Sequence, residues 1–254
     1  MNAPVPARSF TDAAVAPPRR DWRKALRSVR RLLADKDDTV QVFEIMRALN
    51  GTATRDGYLR LLGTANGGRL AYQRRELAEV LMDRAALATL PAGSVAAHYL
   101  AFTERGQISA DGLADVSRVV NQAGIDALHP VAWYGRRIRD VHDLWHILAG
   151  YDLSGLGEAC LVAFSYPQTR ALGWAAIATG AWLTALRQRG HPYARAIREG
   201  YARGQAAAWL PGVDYEALLA EPLDAARARL GLKPPAIFDS IPVDARNRAL
   251  PKAA

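Results

Sequence analysis

Two histidines four positions apart, His142 and His146, lie in the segment HDLWH near the middle of the chain. On a helix this spacing places the imidazoles about 40° apart around the axis, so both can reach one cation. Asp143 lies about 60° beyond His146, and Arg139 projects between those two by the same arithmetic. The four side chains therefore share one face of a predicted helix, where they could bind a metal ion.

A fifth residue, Glu158, follows a cluster of glycine, aspartate and serine over residues 150–157. Such clusters end helices and build turns, so Glu158 is predicted to start the next helix and could face the histidines from an opposing element. Two neutral nitrogens with one or two carboxylate oxygens suit zinc, iron(II) or manganese better than calcium or magnesium. The candidate ligands are therefore His142, Asp143, His146 and Glu158, with positions left for water or substrate.

A simpler interpretation is that both histidines are ordinary helix residues whose neighbouring acids pair with Arg136, Arg137 and Arg139. A bare pair of histidines at this spacing favours that interpretation, because such pairs arise by chance. The aspartate inside the pair and the glutamate after the turn favour a metal or catalytic site. Cys160 is predicted to point about 160° away from Glu158 and to pack in the core.

Helical periodicity dominates the chain, and no alternating strand pair or tandem repeat is found. We predict an all-α fold with one multi-helix domain over residues 19–235, after a flexible N-terminal tail at residues 1–18. Residues 236–254, which prolines interrupt, are predicted to form an irregular C-terminal extension. The predicted helices cover residues 20–35, 38–50, 55–63, 72–88, 92–104, 110–122, 129–150, 157–165, 170–189, 191–207 and 214–230.

The composition describes a globular protein with a basic N-terminal helix. Half of the 254 residues are hydrophobic, and a single cysteine excludes an internal disulfide framework. The apolar segment 171–186 is shorter than the roughly 20 residues of a membrane span, so a buried helix is predicted. Much of the net charge of +8 comes from the first predicted helix and the residue before it, with the basic residues Arg19, Arg20, Arg23, Lys24, Arg27, Arg30 and Arg31.

This basic helix could contact an anionic membrane surface or nucleic acid, or could be only a solvated face. An aromatic-rich RNA-binding run, zinc-finger spacing and a glycine-rich phosphate loop are all missing, so we expect no nucleic-acid partner. The first 18 residues lack the apolar run of a secretory signal.

The segment HDLWH, followed by eleven residues and Glu158, resembles the motif HDxxH-x11-E of the coenzyme Q biosynthesis protein 4 family. Similar blocks flank it in the same order, and the resemblance runs from about Arg74 to Pro235. Those blocks are LATLPAGSVAAHYLAF, YGRRIRDVHDLWHILAGY and EGYARGQAAAWLPGVDYEALLAEPLDAARARLGLKPP.

The resemblance implies an all-helical protein of ubiquinone biosynthesis that binds a divalent metal, zinc by family likeness, through the four motif residues. It also implies peripheral membrane association, a homodimer, contacts with other ubiquinone-biosynthesis proteins, and an apolar cavity for a polyprenylated aromatic substrate. We expect a bacterial cytoplasmic protein peripherally associated with the inner membrane. Two activities are compatible with the family: oxidative decarboxylation, which replaces the carboxyl at ring carbon 1 with a hydroxyl, and a non-catalytic, metal-stabilised, prenyl-lipid-binding scaffold.

For the enzyme, Asp143 and Arg139 are the candidate catalytic residues beside the metal. Asp143 could be a further ligand, an outer partner of an imidazole, or a proton acceptor. Arg139 could bind the substrate carboxylate, or could form an ion pair with Asp143. A protease with Asp143 as general base is disfavoured, because aspartate is shorter than glutamate and no strand-rich context surrounds it.

We expect mainly structural roles for several other aromatic and histidine side chains. The aromatic ones are more often core residues than lipid contacts, and the isolated histidines are expected to be structural or exposed. These residues are Trp145, Trp174, Trp182, His98 and His191.

Overall fold

The structure, a computed structural model, describes residues 19–35, 38–106, 129–188 and 191–247. Over these ranges the chain forms sixteen α-helices and one 3-10 turn, with no β-strand beyond an isolated bridge between Ser94 and Pro222. The all-α prediction is therefore confirmed. The predicted tail at residues 1–18 and the predicted helix at 110–122 lie outside the described residues.

The helices are short to medium in length and follow one another closely. Their bounds are α1 Trp22–Ala34, α2 Thr39–Leu49, α3 Ala53–Leu62, α4 Gly67–Gln73, α5 Leu77–Met82, α6 Arg84–Ala88, α7 Val95–Gly106, α8 Pro130–Asp140, α9 His142–Ala149, α10 Gly155–Thr169, α11 Leu172–Gln188, α12 His191–Ala206, α13 Tyr215–Leu218, α14 Leu223–Arg229, α15 Ala236–Asp239 and α16 Val243–Arg246, with the 3-10 turn at Leu210–Gly212.

Three predicted helices are interrupted. The prediction of one helix over 72–88 is wrong, because Arg74 adopts a left-handed conformation after α4 and Asp83 caps α6 by accepting from the amide of Ala86. Pro222 separates α13 from α14 within the predicted helix 214–230. The predicted helix 129–150 is divided only at Val141, which keeps right-handed helical angles. The prediction that His142 and His146 share one face of a helix therefore still applies to α9.

The main core surrounds α10, which is buried along most of its length between α9, α11 and α12. Glycines allow the closest approach: a Cβ added at Gly200 would overlap the backbone carbonyl of Cys160, and one at Gly204 would overlap that of Phe164. Since small residues let helix backbones come together, α12 lies directly against α10 and fixes its position.

A second cluster joins α1, α2 and α11 through Val29, Ile45 and Ile177. All but the first residue of the apolar segment 171–186 belongs to α11, which buries Ala181 and Ala185 but leaves Leu183 exposed. Burial of this helix is therefore partial. No helix in the described part of the chain is both long enough and apolar enough to cross a membrane.

The C-terminal residues that the structure describes pack against the body of the protein. In place of a wholly irregular segment, residues 236–247 contain the short helices α15 and α16. Phe238 and Ile241 are buried in the main core, so this segment contributes to the fold beside the turn that joins α9 to α10.

Candidate metal centre

A tight turn between α9 and α10 brings the predicted ligands together. Gly150 ends α9 in a left-handed conformation, and the hydroxyl of Ser154 caps α10 by accepting from the amide of Gly157 at 3.0 Å. A Cβ at Gly157 would overlap the carbonyl of Asp152, so only glycine fits there. The turn consequently places Glu158 in the first turn of α10, facing α9.

Three of the four predicted ligands converge on one point. Nε2 of His146 lies 3.1 Å from Oε1 of Glu158, and Nε2 of His142 lies 3.5 Å from Oε2. One ligand atom from each of the three residues lies within 4.8 Å of the other two. The imidazole centres of His142 and His146 are 5.0 Å apart, with their planes nearly perpendicular. The structure thus brings these three predicted ligands together as a group that could hold a metal ion.

The orientation of His146 leaves one nitrogen available as a ligand. Its Nδ1 lies 3.2 Å from the carbonyl oxygen of Tyr151, and since a carbonyl only accepts, Nδ1 carries the hydrogen. In the neutral ring Nε2 then presents a lone pair towards Glu158, yet this fully buried atom makes no hydrogen bond. A lone pair and a carboxylate facing each other repel unless a cation or proton lies between them. The donor set therefore fits a divalent metal.

His142 occupies the more accessible side of the centre. Its side chain is 22% exposed and that of Glu158 is 43% exposed, whereas the side chain of His146 is fully buried. Trp174 of α11 stacks almost parallel to the His142 ring, with ring centres 6.2 Å apart. Solvent or a ligand can thus approach along the side of His142 and Glu158. No spacing in the sequence indicates the stacking, because Trp174 belongs to another helix.

Charge within the cluster favours an ionised carboxylate. Burial alone would raise the pKa of Glu158, but when no metal is bound, positive charge on protonated His146 and His142 holds it well below its usual range. Burial opposes protonation of His142, while the hydrogen bond and charge of Glu158 and the charge of Asp143 together raise its pKa. A cation bound between these groups would supply the positive charge that Glu158 requires.

Asp143 lies beside the centre but outside the three-residue group. Its charge raises the pKa of His142, and it adds to the effect of burial in raising the pKa of Tyr99. The alternative that paired Arg139 with Asp143 is wrong in its partner. Nε of Arg139 donates to Oδ1 of Asp140 at 2.7 Å, and the side chain of Asp140 is only 6% exposed. Because a buried carboxylate is destabilising without a positive partner, the nearly buried Asp140 accounts for the position of the Arg139 guanidinium.

The remaining predicted residues are structural where they are described. Nε1 of Trp145 donates to the hydroxyl of Tyr215 at 2.6 Å inside the core, and Trp182 packs against the same core. Cys160 is fully buried, and burial raises the pKa of its thiol. His98 is exposed, whereas the side chain of His191 lies outside the described residues.

A sequence model of the family described as Coenzyme Q (ubiquinone) biosynthesis protein Coq4 matches residues 35–236 of the chain. The chain belongs to this family. The matched range contains the three converging residues and Asp143, so the resemblance seen in the motif extends over most of the fold.

Individual relatives carry the same description. The chain is 28% identical over 173 residues to the mitochondrial ubiquinone biosynthesis protein COQ4 homolog of Rattus norvegicus, which covers 66% of this chain and 62% of the rat protein. It is 27% identical over 180 residues to the mitochondrial protein COQ4 of Eremothecium gossypii, covering 69% and 52% respectively. The chain therefore spans less than two thirds of the length of these curated relatives.

The fold is also similar to a solved bacterial structure. A crystal structure of a Nostoc punctiforme PCC 73102 protein, provisionally assigned to ubiquinone biosynthesis, superposes with a TM-score of 0.59. The match covers 84% of this chain and 99% of the other, with 19% sequence identity. At that identity the likeness supports the shared helical fold alone.

Proposed function

We propose that this ubiquinone-biosynthesis protein is a metal-dependent oxidative decarboxylase acting on a polyprenylated hydroxybenzoate-type ring. The observation that carries the proposal is the convergence of His142, His146 and Glu158 around a buried ring nitrogen that has no hydrogen-bond partner. A closed structural zinc site would use four protein ligands, whereas three ligands with an accessible side are typical of catalytic sites. Membership of the family supports the pathway.

The proposed reaction replaces the carboxyl group at ring carbon 1 with a hydroxyl and releases carbon dioxide. Conversion of Ar–COOH and water to Ar–OH and carbon dioxide removes two electrons and two protons from the reactants. Dioxygen is the oxidant in this proposal, and it leaves as hydrogen peroxide if the hydroxyl oxygen comes from water. A bound iron(II), manganese or zinc ion would act as a Lewis acid, and the first two metals could also exchange electrons.

The protein groups have separate roles in this scheme. His142, His146 and Glu158 hold the ion, and the carbonyl of Tyr151 keeps the hydrogen of His146 on Nδ1. In this scheme Asp143, the neighbour of His142 in the sequence, would accept a proton from the ring hydroxyl or from water. Arg139 is already paired with Asp140, so its role at the substrate carboxylate stays a prediction.

Reconstitution tests the enzyme directly. Purified protein is loaded separately with iron(II), manganese and zinc, then supplied with dioxygen and a prenylated 4-hydroxybenzoate whose carboxyl is isotopically labelled. We expect labelled carbon dioxide and the hydroxylated ring with at least one metal, and none after chelation. Absence of carboxyl loss with every metal would contradict the proposed chemistry.

The second candidate is a scaffold in which the metal stabilises the fold and the protein presents a prenylated lipid to other enzymes. The buried position of His146, in contact with Phe102, favours this alternative because loss of a structural metal unfolds a domain. Thermal melts of His142→Ala and Glu158→Ala separate the two functions. A folded but inactive variant supports catalysis, and an unfolded variant supports the scaffold.

Helix α1 supports the proposed contact with an anionic membrane surface. Trp22 and Leu26, one turn apart, are 53% and 57% exposed and border the face that packs on α2 and α11. Exposed arginines, including Arg23, Arg27 and Arg30, occupy the adjacent outer face, and α1 contains no acidic residue. Apolar side chains beside a basic face are typical of helices that lie in a membrane interface.

Vesicle flotation tests this contact. We expect binding to vesicles that contain anionic phospholipid, weak binding to neutral vesicles, and reduced binding for Trp22→Ala combined with Leu26→Ala. Tyr72→Ala is the matched control, because Tyr72 is 88% exposed on α4, away from α1. Equal binding of the wild type, the double variant and Tyr72→Ala would contradict a membrane contact through Trp22 and Leu26 of α1. The homodimer, the partner enzymes and the inner-membrane location stay predictions.

A further inference from the structure

The residue that orients His146 is itself held by an arginine from another helix. Tyr151 accepts the His146 hydrogen with its carbonyl, and the guanidinium carbon of Arg203 lies 5.0 Å from the centre of the Tyr151 ring. Arg203 also donates from Nη2 to the carbonyl of Ala149 at 2.7 Å and from Nε to that of Lys233 at 3.0 Å. The end of α9 is thereby joined to α12 and to the loop between α14 and α15.

A second arginine holds the turn that starts α10. Asp152 accepts the amide hydrogen of Ser154 with Oδ1, and Ser154 caps the helix that carries Glu158. The other oxygen of Asp152 accepts from Nη1 of Arg246 at 2.8 Å. The Arg246 side chain is only 11% exposed, and its Nε donates to the carbonyl of Ile241.

Phe238 connects the two arrangements. Its ring meets the Tyr151 ring edge-on at 5.1 Å, and the guanidinium carbon of Arg246 lies 4.1 Å from its centre. Arg203, Tyr151, Phe238 and Arg246 therefore form a continuous row of side-chain contacts. Arg203 donates to the carbonyls of Ala149 and Lys233, and Arg246 donates to Asp152 and to the carbonyl of Ile241.

We propose that Arg203 and Arg246 are positioning residues of the metal centre, a role that rests on the proposed metal-dependent function. Arg203 acts on His146 through Tyr151, and Arg246 acts on Glu158 through Asp152 and Ser154. A ligand displaced by a fraction of an ångström binds a metal less tightly, and outer partners of ligands typically contribute about 10- to 100-fold in affinity. The C-terminal segment is thus part of the metal site.

Metal affinity and ligand geometry test this inference without an activity assay. Arg203→Gln and Arg246→Gln in the full chain are compared with Arg229→Gln, whose side chain is 52% exposed and pairs with Glu221. Zinc dissociation constants come from competition with a chromogenic chelator, and cobalt(II) absorption reports the coordination geometry. We expect zinc affinity to fall about 10- to 100-fold in the first two variants. Their cobalt spectra should change, while Arg229→Gln should match the wild type.

Conservative variants separate positioning from general stability. Arg203→Lys and Arg246→Lys keep the charge, so we expect intermediate affinity and a partly restored cobalt spectrum; they also serve as the test where a glutamine variant fails to fold. Apo-protein melting temperatures are measured in parallel. Wild-type affinity and spectra in both folded variants, even with lower melting temperatures, would overturn the positioning role alone. Failure of the wild type to bind zinc or cobalt would overturn the proposed metal function as well.

Discussion

Nε2 of His146 lies 3.1 Å from Oε1 of Glu158, and no hydrogen bond joins the two atoms. Because Nδ1 of the same ring faces a carbonyl oxygen and carries the hydrogen, the nitrogen nearest the carboxylate is an acceptor in the neutral imidazole. Two acceptors held this close require a positive charge between them. A metal ion shared with His142 satisfies both, and this relationship underlies the proposed chemistry.

Asp143→Asn tests whether Asp143 accepts a proton in the reaction or instead binds the metal. The variant removes a charge beside His142 but none of the three converging ligands, so we expect unchanged metal stoichiometry. Loss of a proton acceptor should lower turnover by about 10²- to 10⁴-fold. Metal analysis of the dialysed protein and the decarboxylation assay measure the two effects. Loss of the metal would instead make Asp143 a ligand.

The buried pair of Arg137 and Glu216 is expected to be essential for stability. Arg137 is 1% exposed, and its Nη1 and Nη2 donate to the Glu216 carboxylate at 2.9 and 2.8 Å. Glu216→Ala leaves an uncompensated buried charge, so the free energy of unfolding should fall by about 3–5 kcal/mol. Urea denaturation measures it. The control Glu221→Ala breaks a more exposed pair and should cost less than about 1 kcal/mol.

The same pair should make stability depend on acidity. Burial raises the pKa of Glu216, but the hydrogen bonds and charge of Arg137 outweigh it and lower the pKa below the usual value of about 4.3. A lowered folded-state pKa stabilises the protein above the unfolded-state pKa, and this contribution is lost as the pH falls through the folded-state pKa. The difference in unfolding free energy between wild type and Glu216→Ala should therefore shrink below about pH 4.3. A constant difference down to pH 3 would contradict this assignment.

Gly200→Ala should weaken the contact between α12 and α10. The new methyl group would overlap the backbone carbonyl of Cys160, which cannot move without shifting the helix that carries Glu158. We expect a loss of about 1–3 kcal/mol, measured by urea denaturation, together with weaker metal binding. In the control Gly68→Ala the methyl group meets open space, so stability should be unchanged or slightly higher. Equal stability of the two variants would argue against the close approach.

Local patterns account for the predicted part of the site. Helical periodicity places His142 and His146 on one face, and the Gly/Asp/Ser turn returns the chain so that Glu158 faces them. These features depend on neighbours within about four residues or on turn-forming residue types, so they can be predicted from the sequence. The break at Arg74 is not predictable in this way, because a non-glycine residue in the left-handed region has no strong sequence signal.

The surroundings of the three ligands depend on contacts between residues that are distant in the sequence. Arg203 and Arg246 contact the turn between α9 and α10 although they lie 54 and 94 positions along the chain from their partners Ala149 and Asp152. No local spacing predicts such contacts. Helix geometry offers Asp143 as one of two possible partners of Arg139, whereas in the structure the nearly buried Asp140 is the carboxylate that Arg139 pairs with. Burial and long-range packing thus determine what surrounds the three ligands.

The most direct measurement is metal stoichiometry and affinity in wild type and in His146→Ala, with His98→Ala as the control for an exposed imidazole. Apo protein is dialysed against zinc, iron(II) or manganese, and bound metal is measured by elemental analysis. We expect about one ion per chain in wild type and in His98→Ala, and affinity weaker by at least about a hundredfold in folded His146→Ala. Equal metal binding by all three proteins, or none by wild type, would contradict a metal centre formed by His142, His146 and Glu158.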